Sequence, residues 1–169
     1  MADFLSEPLG DIKYSGEFDY EGLYLAIYNW LKNKRYEVQE VYKHKMTPAG
    51  AEIELTFKGS KEITEFVKYS IDTEIKGWNI TEHETVKEGK KQKLNKGRLV
   101  INIKMTLQLD WQKEFESSPF RKRLYKLLTG TILKKKAILD WGGNLVAEAY
   151  QLHTAIKKSL KMETAYSAW

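Results

Sequence analysis

Between Arg121 and Lys136 seven cations, Arg121, Lys122, Arg123, Lys126, Lys134, Lys135 and Lys136, are interleaved with leucines. A cationic amphipathic helix of this kind lies on an anionic membrane surface or grips the phosphates of nucleic acid, with Leu124, Leu127 and Leu128 as its anchors. The same pattern describes a solvated helix face whose leucines cover a sheet, and the direction in which the leucines point separates the two. Lys90, Lys91, Lys93, Lys96 and Arg98 form a second basic group in or near a hairpin tip. Such a tip enters a nucleic-acid groove as a β-ribbon, or its lysines discourage sheet edges from pairing.

Chemistry of other kinds finds few residues to work with. The pairs Glu52/Glu54, Asp72/Glu74 and Glu82/Glu84 resemble acid–base dyads, but spacing two on a strand puts each pair on the outward polar face. A carboxylate there lacks the cleft that perturbs its pKa, and cross-strand pairing with Lys58, Lys68, Lys76 or Lys104 is its expected role. His44, His83 and His153 are scattered, and there is no cysteine, no Gly-x-Ser-x-Gly and no phosphate-binding glycine loop. The chain is therefore read as a non-enzyme with no metal, no cofactor and no identified small-molecule substrate. Ten Tyr, six Phe and five Trp fall mostly on core-facing phases, which leaves Trp78, Trp111, Trp141 and Trp169, near element ends, for partial exposure.

Charge is distributed unevenly. Residues 1 to 118 carry 18 Lys/Arg against 20 Asp/Glu, whereas residues 119 to 169 carry 10 against 3, so an anionic partner is drawn to the C-terminal part. Met1 to Gly10 lacks a basic region followed by an apolar core, and no apolar run is long enough to cross a bilayer. A cytoplasmic protein is expected.

The elements that would position these residues follow from periodicity. Ala51, Ile53, Leu55 and Phe57 alternate with polar residues, as do Leu99, Ile101, Ile103, Met105, Leu107 and Leu109. Both are half-buried strands of an antiparallel sheet with one apolar face. Pro8, Gly10 and Gly16 mark residues 1–16 as a loosely ordered lead-in, and 17–169 as a single domain. Within it a helix spans 17–35, capped by Asp19, an antiparallel sheet spans 36–111, and a basic helical part spans 117–162, opened by Ser118 and Pro119. Gly59-Ser60 reads as a turn, Gly77-Trp78 as a bend between strands, and Asn95-Lys96-Gly97 as a bulge. The fold class is α+β: an N-terminal helix, a meander of about five strands, and two C-terminal helices packed on one sheet face.

The segments Phe18-Asp19-Tyr20-Glu21-Gly22-Leu23-Tyr24, Asn95-Lys96-Gly97 and Pro119-Phe120, in this order of elements, resemble small predicted proteins of tiny symbiotic archaea of the DPANN type. The resemblance supports the fold reading and brings no activity, cofactor or site with it. The leading functional expectation is a binding or assembly module whose basic C-terminal helices meet nucleic acid or a membrane surface. One alternative is a helix-grip-like carrier, its curved sheet wrapped round a long helix over a cavity for a lipid-like ligand. Another is a structural subunit that self-associates through the stripe Ile138 to Leu160, or one that binds another protein.

Overall fold

The computed structural model describes residues 4–130 and 133–162. The chain runs β1 (Phe4–Phe18), α1 (Tyr20–Asn33), β2 (Glu37–Thr47), β3 (Gly50–Glu62), β4 (Val67–Lys87) and β5 (Lys90–Leu109). A 3-10 turn (Glu114–Ser117), α2 (Pro119–Thr129), α3 (Leu133–Lys136), a π-helical segment (Ala137–Gly142) and α4 (Gly143–Ser159) follow. The fold is α+β with one five-stranded antiparallel sheet, ordered β1-β5-β4-β3-β2.

The expected helix-first order is corrected by β1, because the supposed lead-in is a strand. Leu9, Ile12 and Phe18 are buried, but a register shift between Leu9 and Ile12 interrupts their alternation. Pro8 is tolerated because β1 lies at the sheet edge. The first strand pairs with the last, Phe4 opposite Gln108, so the sheet is a meander of β2 to β5 with β1 added beside β5.

The strand count is reached differently from the expectation. The bend at Gly77-Trp78 does not end a strand: β4 continues through it, with a register shift between Trp78 and Thr81 and Asn79 at φ 55°. The bulge is in β4, opposite Gly97, rather than within residues 95–97. A Cβ on Gly97 would come 3.0 Å from the Trp78 carbonyl oxygen and 3.1 Å from the Ile80 Cα, so only glycine admits this close backbone approach. Gly59 likewise is not a turn residue. It sits inside β3, where a Cβ would crowd Leu31 and the Ile71 carbonyl at 3.1 Å, and the chain turns instead after Glu62.

One face of the sheet carries Leu55, Phe57, Tyr69, Ile71, Ile75, Ile101, Ile103 and Leu107, all buried. Two helices cover it side by side, α1 through Leu23, Ile27 and Leu31 and α4 through Leu145, Ala149, Leu152 and Ile156. The Gly22 N–H donates to the Asp19 side chain at 3.0 Å, the expected N-cap. On the other face Lys43 of β2 pairs with Glu54 of β3 at 3.5 Å, Asp72 lies between Lys58 and Lys104 of the neighbouring strands, and Lys76 pairs along β4 with Glu74 at 3.3 Å. Burial pushes the Asp72 carboxyl upward, against the pull of those two lysines.

The expectation of two C-terminal helices on the sheet holds for α4 only. The π segment runs through Gly142-Gly143 into α4 without a break, and its Trp141 carbonyl accepts the Tyr69 hydroxyl at 2.6 Å. A polar latch reinforces α4. The Tyr36 hydroxyl donates to Glu148 at 2.6 Å and the Lys61 ammonium at 2.8 Å, with that ammonium 4.7 Å from the centre of the Tyr36 ring.

Candidate functional site

The helix α2 starts where the sequence predicts. Pro119 occupies its first turn, and the Arg121 N–H donates to the Ser118 hydroxyl at 3.2 Å. It stands off the end of the sheet rather than on its face. Upstream, the buried Asp110 accepts the Glu114 N–H at 3.0 Å, and the Trp111 indole N–H donates to the Thr64 carbonyl at 3.0 Å. These bonds fix the approach to α2, in which Tyr125 is the one buried side chain among the described residues. The Tyr125 ring packs on Phe115 and Phe66, with centroids 5.3 and 6.1 Å away.

With Tyr125 turned inward, the apolar stripe faces out. Phe120, Leu124 and Leu127, at spacings of four and three, are 75%, 40% and 80% exposed, and Leu139 in the π segment is 74% exposed. Leu124 and Leu127 therefore do not cover the sheet. Arg121, Lys122, Arg123 and Lys126 around that stripe are exposed, as are Lys135 and Lys136 in α3. The Lys134, Leu128 and Ile138 side chains lie outside the described residues, as do Ile132 and Trp169. From Ser117 to Leu139 the sequence has no Asp or Glu, so no acid on this segment breaks up its positive charge.

The second basic group is dispersed. Lys90, Lys91 and Lys93 lie toward the tip of the β4–β5 hairpin, but acids accompany them there. Lys93 pairs with Glu82 at 3.3 Å, and Glu84 lies directly opposite Lys93. Lys96 and Arg98 lie farther down the strand. Arg98 faces outward opposite Trp78 and lines an open crevice of about 450 Å³ with Lys13, Ser15 and Val100.

Sequence reasoning missed the latch of Tyr36, Lys61 and Glu148. Its only trace in the sequence is Glu148, a lone acid between the apolar positions of α4. The latch resembles an acid–base centre, but burial, followed by the bond to Glu148, pushes the Tyr36 phenol far above its ordinary range and keeps it a donor. It holds α4 against β3 and the start of β2. Among the described residues no group of three or more His, Cys, Asp or Glu could hold a metal ion, and no helix is long and apolar enough to cross a membrane. The α4 part of the stripe expected to pair two copies is buried within the fold, so pairing through it would require opening the core.

No protein-family model matches the chain, and no curated protein matches it in sequence.

Proposed function

We propose that the chain is a peripheral binding module that docks on an anionic lipid surface through α2 and the neighbouring α3. The observation that carries this reading is the outward stripe of Phe120, Leu124 and Leu127, rimmed by Arg121, Lys122, Arg123 and Lys126 on a segment without acids. A phosphate-gripping helix needs the cations but has no use for exposed leucines, whereas a helix lying in the headgroup layer uses both. Full burial of a Leu or Phe side chain contributes roughly 1.5–3 kcal/mol, and each cation beside an anionic leaflet about 1 kcal/mol. The charges and the stripe are thus of comparable weight, and losing either one weakens docking.

The test is co-sedimentation with vesicles of phosphatidylglycerol in phosphatidylcholine against phosphatidylcholine alone. Binding to the anionic vesicles that falls with added salt is the expected result. No binding at low salt would overturn the proposal, and retention of a single-stranded oligonucleotide without vesicle binding would move it to nucleic acid.

The apolar-ligand carrier is the second reading. Supporting it is an open crevice of about 280 Å³ between β5 and the start of α4, lined by Met105, Leu107, Gly142, Gly143, Leu145 and Val146. Uptake of a fluorescent fatty acid that Leu145→Trp abolishes is its expected signature, and no uptake would remove it.

A further inference from the structure

The two edges of the sheet are built differently. The β1 edge is blunted by Pro8 and by the register shift between Leu9 and Ile12. The β2 edge runs from Glu37 to Thr47 in unshifted register with β3, contains neither Pro nor Gly, and is exposed along nearly its whole length. An edge of this kind presents a row of unpaired N–H and C=O groups ready to template another strand.

The side chains on β2 determine which strand fits. Val38, Glu40, Tyr42, His44 and Met46 lie on the helix-covered face, because they sit opposite Gly59, Phe57, Leu55, Ile53 and Ala51 of β3. The start of α1 covers only part of this row, with the Tyr24 hydroxyl donating to Glu40 at 2.8 Å. Beyond it an open groove of about 500 Å³ is lined by Tyr20, Tyr42, His44, Met46, Ile53 and Ile80. Tyr42 and Met46 remain 54% and 69% exposed there. The lysines that guard many edges point to the opposite face, where Lys43 is engaged by Glu54.

We infer that β2 pairs with β2 of a second copy of this chain, antiparallel about a two-fold axis at Tyr42, to form a continuous ten-stranded sheet. In that register Tyr42 meets its own copy. Glu40 faces His44 of the other chain, and Val38 faces Met46. On the outer face Val41 faces Lys43, Gln39 faces Lys45, and Glu37 faces Thr47. No like charges meet, and every residue of β2 has a partner. Shifting the axis to Lys43 would set two ammonium groups against each other, and shifting it to Val41 would leave Met46 uncovered. The strand is self-complementary in the Tyr42 register, and the pairing extends the groove's apolar wall across both copies.

The test is the mass in solution by light scattering. The unaltered chain is expected to be a dimer. His44→Glu places two pairs of carboxylates together, and Glu40→Lys places lysines against His44, so each variant alone is expected to have half that mass. Both positions are on an exposed strand, and circular dichroism confirms that each variant is folded. Mixing the two variants sets the introduced lysine of one chain against the introduced carboxylate of the other. It also keeps the original contact between His44 and Glu40 at the symmetric position, and so restores the dimer. A monomeric unaltered chain, a single variant that stays dimeric, or a mixture that stays monomeric would each overturn the inference. A Leu127→Ser chain must also remain dimeric; its dissociation would assign the contact to α2 and overturn the inference as well.

Discussion

The helices α4 and α2 are written in nearly the same alphabet of aliphatic residues and cations at spacings of three and four, yet they are partnered in opposite ways. α4 lies along a strand face that offers Ile101, Ile103 and Leu107, and its Leu145, Ala149, Leu152 and Ile156 are almost wholly buried. α2 begins past the end of that face, and among its described side chains Tyr125 is buried while Phe120, Leu124 and Leu127 are exposed. An amphipathic period shows that a helix has an apolar side. Whether that side faces the core or something outside the chain is decided by how far the sheet extends.

This contrast can be broken or sharpened by experiment. The largest effect is expected from Leu152→Ala, which opens a cavity under α4 and costs roughly 2–5 kcal/mol in denaturant unfolding. Leu127→Ala on α2, also a leucine truncation, should stay within about 0.5 kcal/mol of the unaltered chain. Equal losses would show that α2 is packed as α4 is. Next in size, Phe120→Ser combined with Leu127→Ser should lower partitioning onto phosphatidylglycerol vesicles by tenfold or more, since removing each exposed apolar group forfeits on the order of 1 kcal/mol or more. The same pair of changes should leave the unfolding midpoint in place.

Glu148→Ala removes the acceptor of both Tyr36 and Lys61 and should cost about 1–3 kcal/mol, measured by thermal unfolding, with no change in vesicle binding. The smallest effect is expected from pH. Burial, then the neighbouring Lys157, holds the His153 imidazole of α4 below its ordinary value. Over that window the unfolded chain binds the proton more readily than the folded one. Stability is therefore present above the unfolded value and lost as pH falls from there through the lower folded value, and His153→Gln should flatten this loss.

Elements held by local physics were readable in the residues. Asp19 and Ser118-Pro119 announce their helices because capping is a matter of the first turn, and β3 and β5 announce themselves because their alternation is unbroken on one buried face. β1 was hidden by Pro8 and by the bulge that shifts its phase, both compatible with an edge strand that pairs with residues near the end of the sheet. β4 looked like two strands because Gly77-Trp78 reads as a bend, whereas the strand passes through it with Asn79 in a left-handed conformation. For the candidate site, the cations and their stripe were visible at once. Their exposure was not, because it depends on Tyr125 finding Phe66 and Phe115, a contact between segments far apart in the chain.

The pairing of Phe4 with Gln108 spans roughly a hundred residues and sets an order of events during synthesis. β1 leaves the ribosome first and has no neighbour until β5 has emerged, so its buried side chains stay wet while β2, β3 and β4 zip locally. A nascent chain arrested before β5 therefore carries β1 as an unpaired segment for chaperones to hold. Completion of β5 is the moment at which the sheet ties β1 to the far half of the fold.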